Sequence, residues 1–66
     1  MRLLVNGKPE SLPDDATVVD LLRSLRLDQA PCAVEINREL VPRRHHASRH
    51  LGDGDTIEIV TLVGGG

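Results

Sequence analysis

Chemistry in this 66-residue chain could come from three places, and the first is its last three residues, Gly64, Gly65 and Gly66. Glycine ordinarily serves a turn, a helix cap or a close backbone approach. These three follow Thr61-Leu62-Val63 and have no element after them to turn into or cap. Residues without side chains make a thin thread, and three of them reach on the order of 10 Å when extended. The expectation is that Gly66 carries its carboxylate into a partner's active site, with Gly64 and Gly65 bound along the narrow approach and the folded body left outside. A frayed terminus is the alternative. A C-terminal carboxylate is ionised at neutral pH. No residue of the chain is expected to be catalytic.

The second place is Cys32, the single cysteine. A reactive thiolate needs a neighbouring cation or a helix N-terminus to hold it ionised, and nothing nearby in sequence is arranged to do so. Cys32 is expected to be a small, partly buried hydrophobe at the start of a strand, with a sulfur relay as the alternative. The third place is the basic run from Arg43 to His50, containing Arg43, Arg44, His45, His46, Arg49 and His50. His46 and His50 have the i, i+4 spacing of a helix face. No cysteine or carboxylate completes a tetrahedral set locally, so the run is expected to be a solvated crossover rather than a metal site. Base stacking needs aromatic side chains, and the chain has none. A docking contact for an acidic partner is the remaining use of the arginines.

The elements that must position these groups follow from periodicity and turn chemistry. Met1 to Val5 reads as a strand with Met1, Leu3 and Val5 on one face and Leu4 on the other. Asn6-Gly7 signals a hairpin turn, because both central residues of a type I′ turn need φ > 0. Lys8 to Leu12 returns as an edge strand, since Pro9 lacks an N–H. Thr17 and Asp20 form a capping box, and Val18, Leu21, Leu22 and Leu25 give the apolar stripe of a helix from Val18 to about Leu25. Ala33 to Ile36 and Glu39 to Val41 form a second hairpin about Asn37-Arg38, with Val34 and Ile36 facing inward. The basic crossover, with one helical turn and Leu51 as its anchor, leads through Asp53-Gly54 to the last strand, Thr56 to Val63. Ile57 and Ile59 face inward, and Glu58, Val60 and Leu62 outward. One amphipathic helix on one sheet makes two layers around one core, an α+β fold with a mixed sheet whose central pair, the first and last strands, is parallel. Residues 1–63 form the domain and 64–66 a flexible glycine tail.

Composition narrows the function. Sixty-six residues allow one domain with a marginal core. One cysteine excludes an intramolecular disulfide. A formal net charge of −2 argues against general nucleic-acid binding. There is no apolar run long enough to span a bilayer, which makes the cytoplasm the expected location. No nucleophile–base pair, phosphate-cradling loop or metal set is present, so the chain is expected not to be an enzyme. The outward residues Leu4, Val60 and Leu62, with Glu35 and Glu58 around them, are expected to form a partner surface on the open face of the sheet, beside the tail.

The ordered set Ala33-Val34-Glu35-Ile36-Asn37, Val41-Pro42-Arg43, Leu51-Gly52-Asp53-Gly54-Asp55, Ile57-Glu58-Ile59-Val60 and Val63-Gly64-Gly65-Gly66 resembles the ThiS family of ubiquitin-like β-grasp sulfur carriers. The likeness covers nearly the whole chain; the lack of aromatics is a departure that concerns packing, not the tail. It implies a protein co-substrate of thiamin thiazole synthesis. A ubiquitin-activating-like adenylyltransferase of the ThiF type, which brings its own ATP and metal ion, would adenylate Gly66. A cysteine-derived persulfide would replace AMP and leave a thiocarboxylate, and a ThiG-type thiazole synthase would accept the sulfur. This chain would bind no cofactor of its own. Carriers for a molybdopterin-type or cysteine pathway, and a ubiquitin-like protein modifier or binding module, are the alternatives.

Overall fold

The structure is a computed structural model that describes residues 1–62. Strand β1 (Arg2–Val5) turns into β2 (Lys8–Ser11); helix α1 (Val18–Ser24) follows; β3 (Cys32–Ile36) and β4 (Glu39–Val41) make the second hairpin. A 3-10 turn (Arg43–His45) begins the crossover to β5 (Thr56–Thr61). The sheet order is β2-β1-β5-β3-β4. β5 runs parallel to β1 and antiparallel to β3, and both hairpins are antiparallel. This is the mixed sheet with a parallel central pair and one covering helix that the sequence implies. Pro9 sits on edge strand β2, opposite Leu4.

The first hairpin turn has the predicted chemistry, and the second, expected only as a two-residue connection, shares it. Asn6 and Gly7 have φ of 50° and 81°, and Asn37 and Arg38 have 50° and 71°. Left-handed pairs of this kind match the twist of the flanking strands. The two asparagines also do something that the sequence did not announce. Asn6 Oδ1 accepts from Ile59 N at 2.8 Å, and Asn6 Nδ2 donates to Ile59 O at 3.1 Å. The side-chain amide thus continues the β1 ladder along β5 after the β1 backbone has turned away. On the other flank Asn37 Oδ1 accepts from Thr56 N at 3.0 Å, while Nδ2 donates to Asp55 Oδ1 at 3.0 Å.

The stretch Gly52-Asp53-Gly54-Asp55 feeds β5 into the sheet. Asp53 Oδ1 accepts from Arg2 N, and Gly54 N donates to Arg2 O, each at 2.7 Å. Asp55 Oδ2 accepts from Gly52 N at 2.7 Å. Gly54 has φ of 85°, where a Cβ would be strained. These residues secure the start of the central strand.

Helix α1 begins with the predicted capping box. Asp20 N donates to Thr17 Oγ1 at 3.3 Å, and Thr17 N donates to Asp20 Oδ2 at 2.9 Å. The remaining N-terminal donors are satisfied from the crossover: Val18 N donates to Arg49 O at 3.0 Å and Val19 N to His46 O at 3.1 Å. The helix closes one residue earlier than expected, in a Schellman arrangement. Leu27 N donates to Leu22 O at 2.7 Å and Arg26 N to Arg23 O at 3.0 Å. Val18, Leu21 and Leu22 are buried against Leu3, Val5, Val34, Ile36, Val41, Leu51, Ile57 and Ile59, with Leu25 packed at the margin. The core is wholly aliphatic, and burying each such Leu or Ile side chain contributes about 1.5–3 kcal/mol.

Candidate functional site

The site is built outward from β5, because its outer side chains lie nearest in sequence to the glycines. Alternation puts Ile57 and Ile59 in the core and Glu58 and Val60 on the open face. The last described backbone bond along this strand is Leu62 N donating to Pro31 O, at 2.8 Å. Val63, Gly64, Gly65 and Gly66 lie outside the described residues. The expected threading role of Gly64 and Gly65 and the expected chemistry at Gly66 therefore have no geometry here.

Strand register arranges the open face in rows. Leu4 lies between Pro9 and Thr56. Glu58 faces Glu35, which in turn faces Leu40. Val60 faces Ala33. The expected surface residues Leu4, Val60 and Leu62 are all on this face, 45%, 59% and 52% exposed. They do not form one adjacent patch. Leu4 pairs with Thr56, four residues before Val60, so the two are separated by about 13 Å along the strands. The face has an apolar group near the tail, Val60 and Leu62 with Ala33, and a distant one, Leu4 with Pro9. The Glu35–Glu58 pair lies between them. Leu40, 64% exposed, was missed as a surface residue. The signal for it was present, because Val41 faces inward and its neighbour must then face out.

The helical side of the molecule holds the other candidates. Cys32 opens β3 and is half-buried against the core, as expected. Its thiol lies 3.3 Å from Ala30 O, toward which it donates. His46 overturns the expectation of a wholly solvated crossover. It is 6% exposed, and its Nε2 donates to Val41 O at 3.0 Å. Its ring is buried beside the Val41 carbonyl of β4, while Arg43, Arg44, His45, Arg49 and His50 stay exposed. His46 and Cys32 line one open cleft of about 210 Å³ with Asp28, Arg43 and apolar neighbours. Among the described residues no three or more His, Cys, Asp or Glu side chains gather closely enough to hold a metal ion. No helix there is long and apolar enough to cross a membrane.

The perturbed carboxyl is structural. The Thr17 backbone N–H, and next the Thr17 hydroxyl, hold Asp20 below the ordinary aspartate range. Its position at the helix start, remote from the glycines in sequence, assigns it to the cap.

Comparison with known proteins bears on the whole chain. The family model of the ThiS family matches residues 3–66. The sulfur carrier protein ThiS of Bacillus subtilis is 40% identical over 65 residues, covering 97% of this chain and 98% of that protein. A thiazole synthase of Paramagnetospirillum magneticum is 41% identical over 66 residues, all of this chain but only 20% of the synthase. The chain thus spans a fifth of one relative and nearly the whole of the other. Among solved structures, the crystal structure of a thiamine biosynthesis protein (ThiS) from Geobacter metallireducens superposes with a TM-score of 0.83, at 36% identity and full coverage of both chains. Sequence and three-dimensional arrangement agree along the full length: this chain belongs to the ThiS family.

Proposed function

We propose that this chain is a sulfur carrier of thiamin thiazole synthesis. The observation that carries the reading is the end-to-end match with a ThiS sulfur carrier of nearly the same length. The Gly66 carboxylate attacks the α-phosphate of ATP on a ThiF-type adenylyltransferase, releasing pyrophosphate and leaving an acyl-adenylate. ATP and its metal ion belong to that enzyme, where preorganised charge stabilises the transferring adenylyl group and the leaving pyrophosphate. The terminal sulfur of a cysteine-derived persulfide displaces AMP to give an acyl disulfide; a second thiol then attacks the cysteine sulfur of that bond, forming a new disulfide and releasing the thiocarboxylate. A thiazole synthase accepts the sulfur. This chain contributes no catalytic residue: it supplies a thread, Gly64 and Gly65, and a docking face carrying Leu4, Glu35, Glu58, Val60 and Leu62. The exposed aliphatics at the tail-proximal end of β5 support that role for the face, since contacts there orient the tail toward a partner's active site.

The test is intact-protein mass spectrometry after incubation with ATP, the adenylyltransferase and a persulfide donor. The native chain gains the mass of one oxygen-to-sulfur exchange in its C-terminal peptide. Adding one alanine after Gly66 shifts the carboxylate by about 3.5 Å. That exceeds the tolerance of a near-attack geometry, so most turnover is lost. Equal thiolation of the extended chain, sulfur on Cys32, or adducts on lysines of other proteins would each overturn the reading. Val60→Glu places a charge in the apolar contact while leaving the fold intact, and calorimetry should show weaker binding to both enzymes.

A further inference from the structure

The open face contains a feature that folding does not explain. Glu35 and Glu58 are direct cross-strand partners on β3 and β5, and both are exposed. Like charges placed directly opposite each other destabilise a sheet. Among the described residues no cation pairs with either carboxylate. The one ion pair among the described residues joins the Met1 ammonium to Asp14. On the β1 side the neighbouring position is Asn6, whose amide is committed to the Ile59 backbone. Arg2 lies on the same face but four positions along β1 from that row, about 13 Å away.

The surroundings of the pair are apolar. Leu40 stands at the β4 end of the same row, and Val60 and Ala33 form the next row toward the tail. A cation docked between the two carboxylates would be bordered by aliphatic side chains that exclude water and strengthen the charge interaction. Two acceptor groups at cross-strand spacing suit a guanidinium, whose planar fork can bridge them, better than an ammonium.

We propose that Glu35 and Glu58 form a paired-carboxylate receptor for an arginine of the thiazole synthase, with Leu40 and Val60 as its apolar walls. The proposal rests on the sulfur-carrier reading and adds to it the chemistry of the contact. The synthase is chosen as the occupant because a thiazole synthase carries a segment similar to the whole of this chain. In such a protein the same fold is joined covalently to that enzyme. Charge complementarity in this position sets partner choice and association rate, so the pair discriminates among proteins that could otherwise cover the same aliphatic strip.

The experiment measures binding of the full-length chain to the purified thiazole synthase of the same organism, by calorimetry at about 20 mM and 150 mM salt, a range over which screening changes appreciably. Glu35→Gln/Glu58→Gln should weaken binding about tenfold at the lower salt and flatten the salt dependence, while its thermal melt stays level or rises. Leu40→Ala should weaken binding severalfold without altering the salt dependence. Thiocarboxylate formation on the adenylyltransferase is measured on the same variants. Unchanged affinity and salt dependence in the double variant would overturn the proposal. So would an effect confined to the adenylyltransferase, since the receptor would then serve that enzyme. Failure of the native chain to acquire sulfur at all would instead overturn the carrier reading, and the two failures are separable because the double variant and the native chain are compared in both assays.

Discussion

Arg26 holds a left-handed backbone, φ of 60°, at the position after the helix cap where glycine is the usual residue. A Cβ in that conformation meets its own carbonyl oxygen. Arg26→Gly should therefore raise stability by about 0.5–1 kcal/mol, the relief of strain exceeding the extra unfolded-state freedom of glycine; the urea midpoint checks it. The reverse holds at Asn6. Its amide makes two bonds to Ile59, and Asn6→Ala leaves both backbone groups without partners. A loss of about 1–3 kcal/mol is expected by the same measurement. Neither role was legible beforehand. Asn6-Gly7 announced a turn, but an asparagine that makes a turn and one that also extends a ladder have the same letter. His46 was hidden for a similar reason: a basic, histidine-rich run looks solvated until the carbonyl that receives one ring, Val41 O, is known.

Elements were more legible than residues. Two hairpins, one helix and the final strand follow from a period of 2, a period of 3.6 and the turn dipeptides, and their ends fall within a residue or two of expectation. The inward and outward faces of β1, β3 and β5 are as alternation requires. The helical turn of the crossover and its Leu51 anchor were legible; its attachment was not, because it is held by backbone carbonyls of His46 and Arg49 that satisfy the first turn of α1, and carbonyls leave no trace in a sequence. The capping box gives a pH prediction. Asp20 has a folded-state pKa lowered first by the Thr17 N–H and then by its hydroxyl. A depressed carboxyl stabilises the fold above its unfolded pKa, and that contribution disappears as pH falls through the folded value. Asp20→Asn should be less stable than the parent at neutral pH. The difference should close below the ordinary aspartate range, as read from urea melts between about pH 7 and pH 2.

At the scale of the molecule, stability comes from aliphatic packing under a five-stranded sheet with one partly buried cysteine. A chelator and a thiol reductant should both leave the thermal midpoint where it was; a large drop with either would mean that a metal or a disulfide holds the fold. The order β2-β1-β5-β3-β4 puts the last strand in the middle. Before β5 arrives, the β1–β2 hairpin and the β3–β4 hairpin have no strand between them, and α1 has no continuous surface to cover. A nascent chain leaving the ribosome therefore cannot complete its sheet until residues through Thr61 have emerged. Non-local pairing of this kind also slows folding. Synthesis must reach the threshold of the glycine tail before the body becomes stable, so an incomplete translation product should remain unfolded and open to proteolysis rather than dock as a tailless competitor.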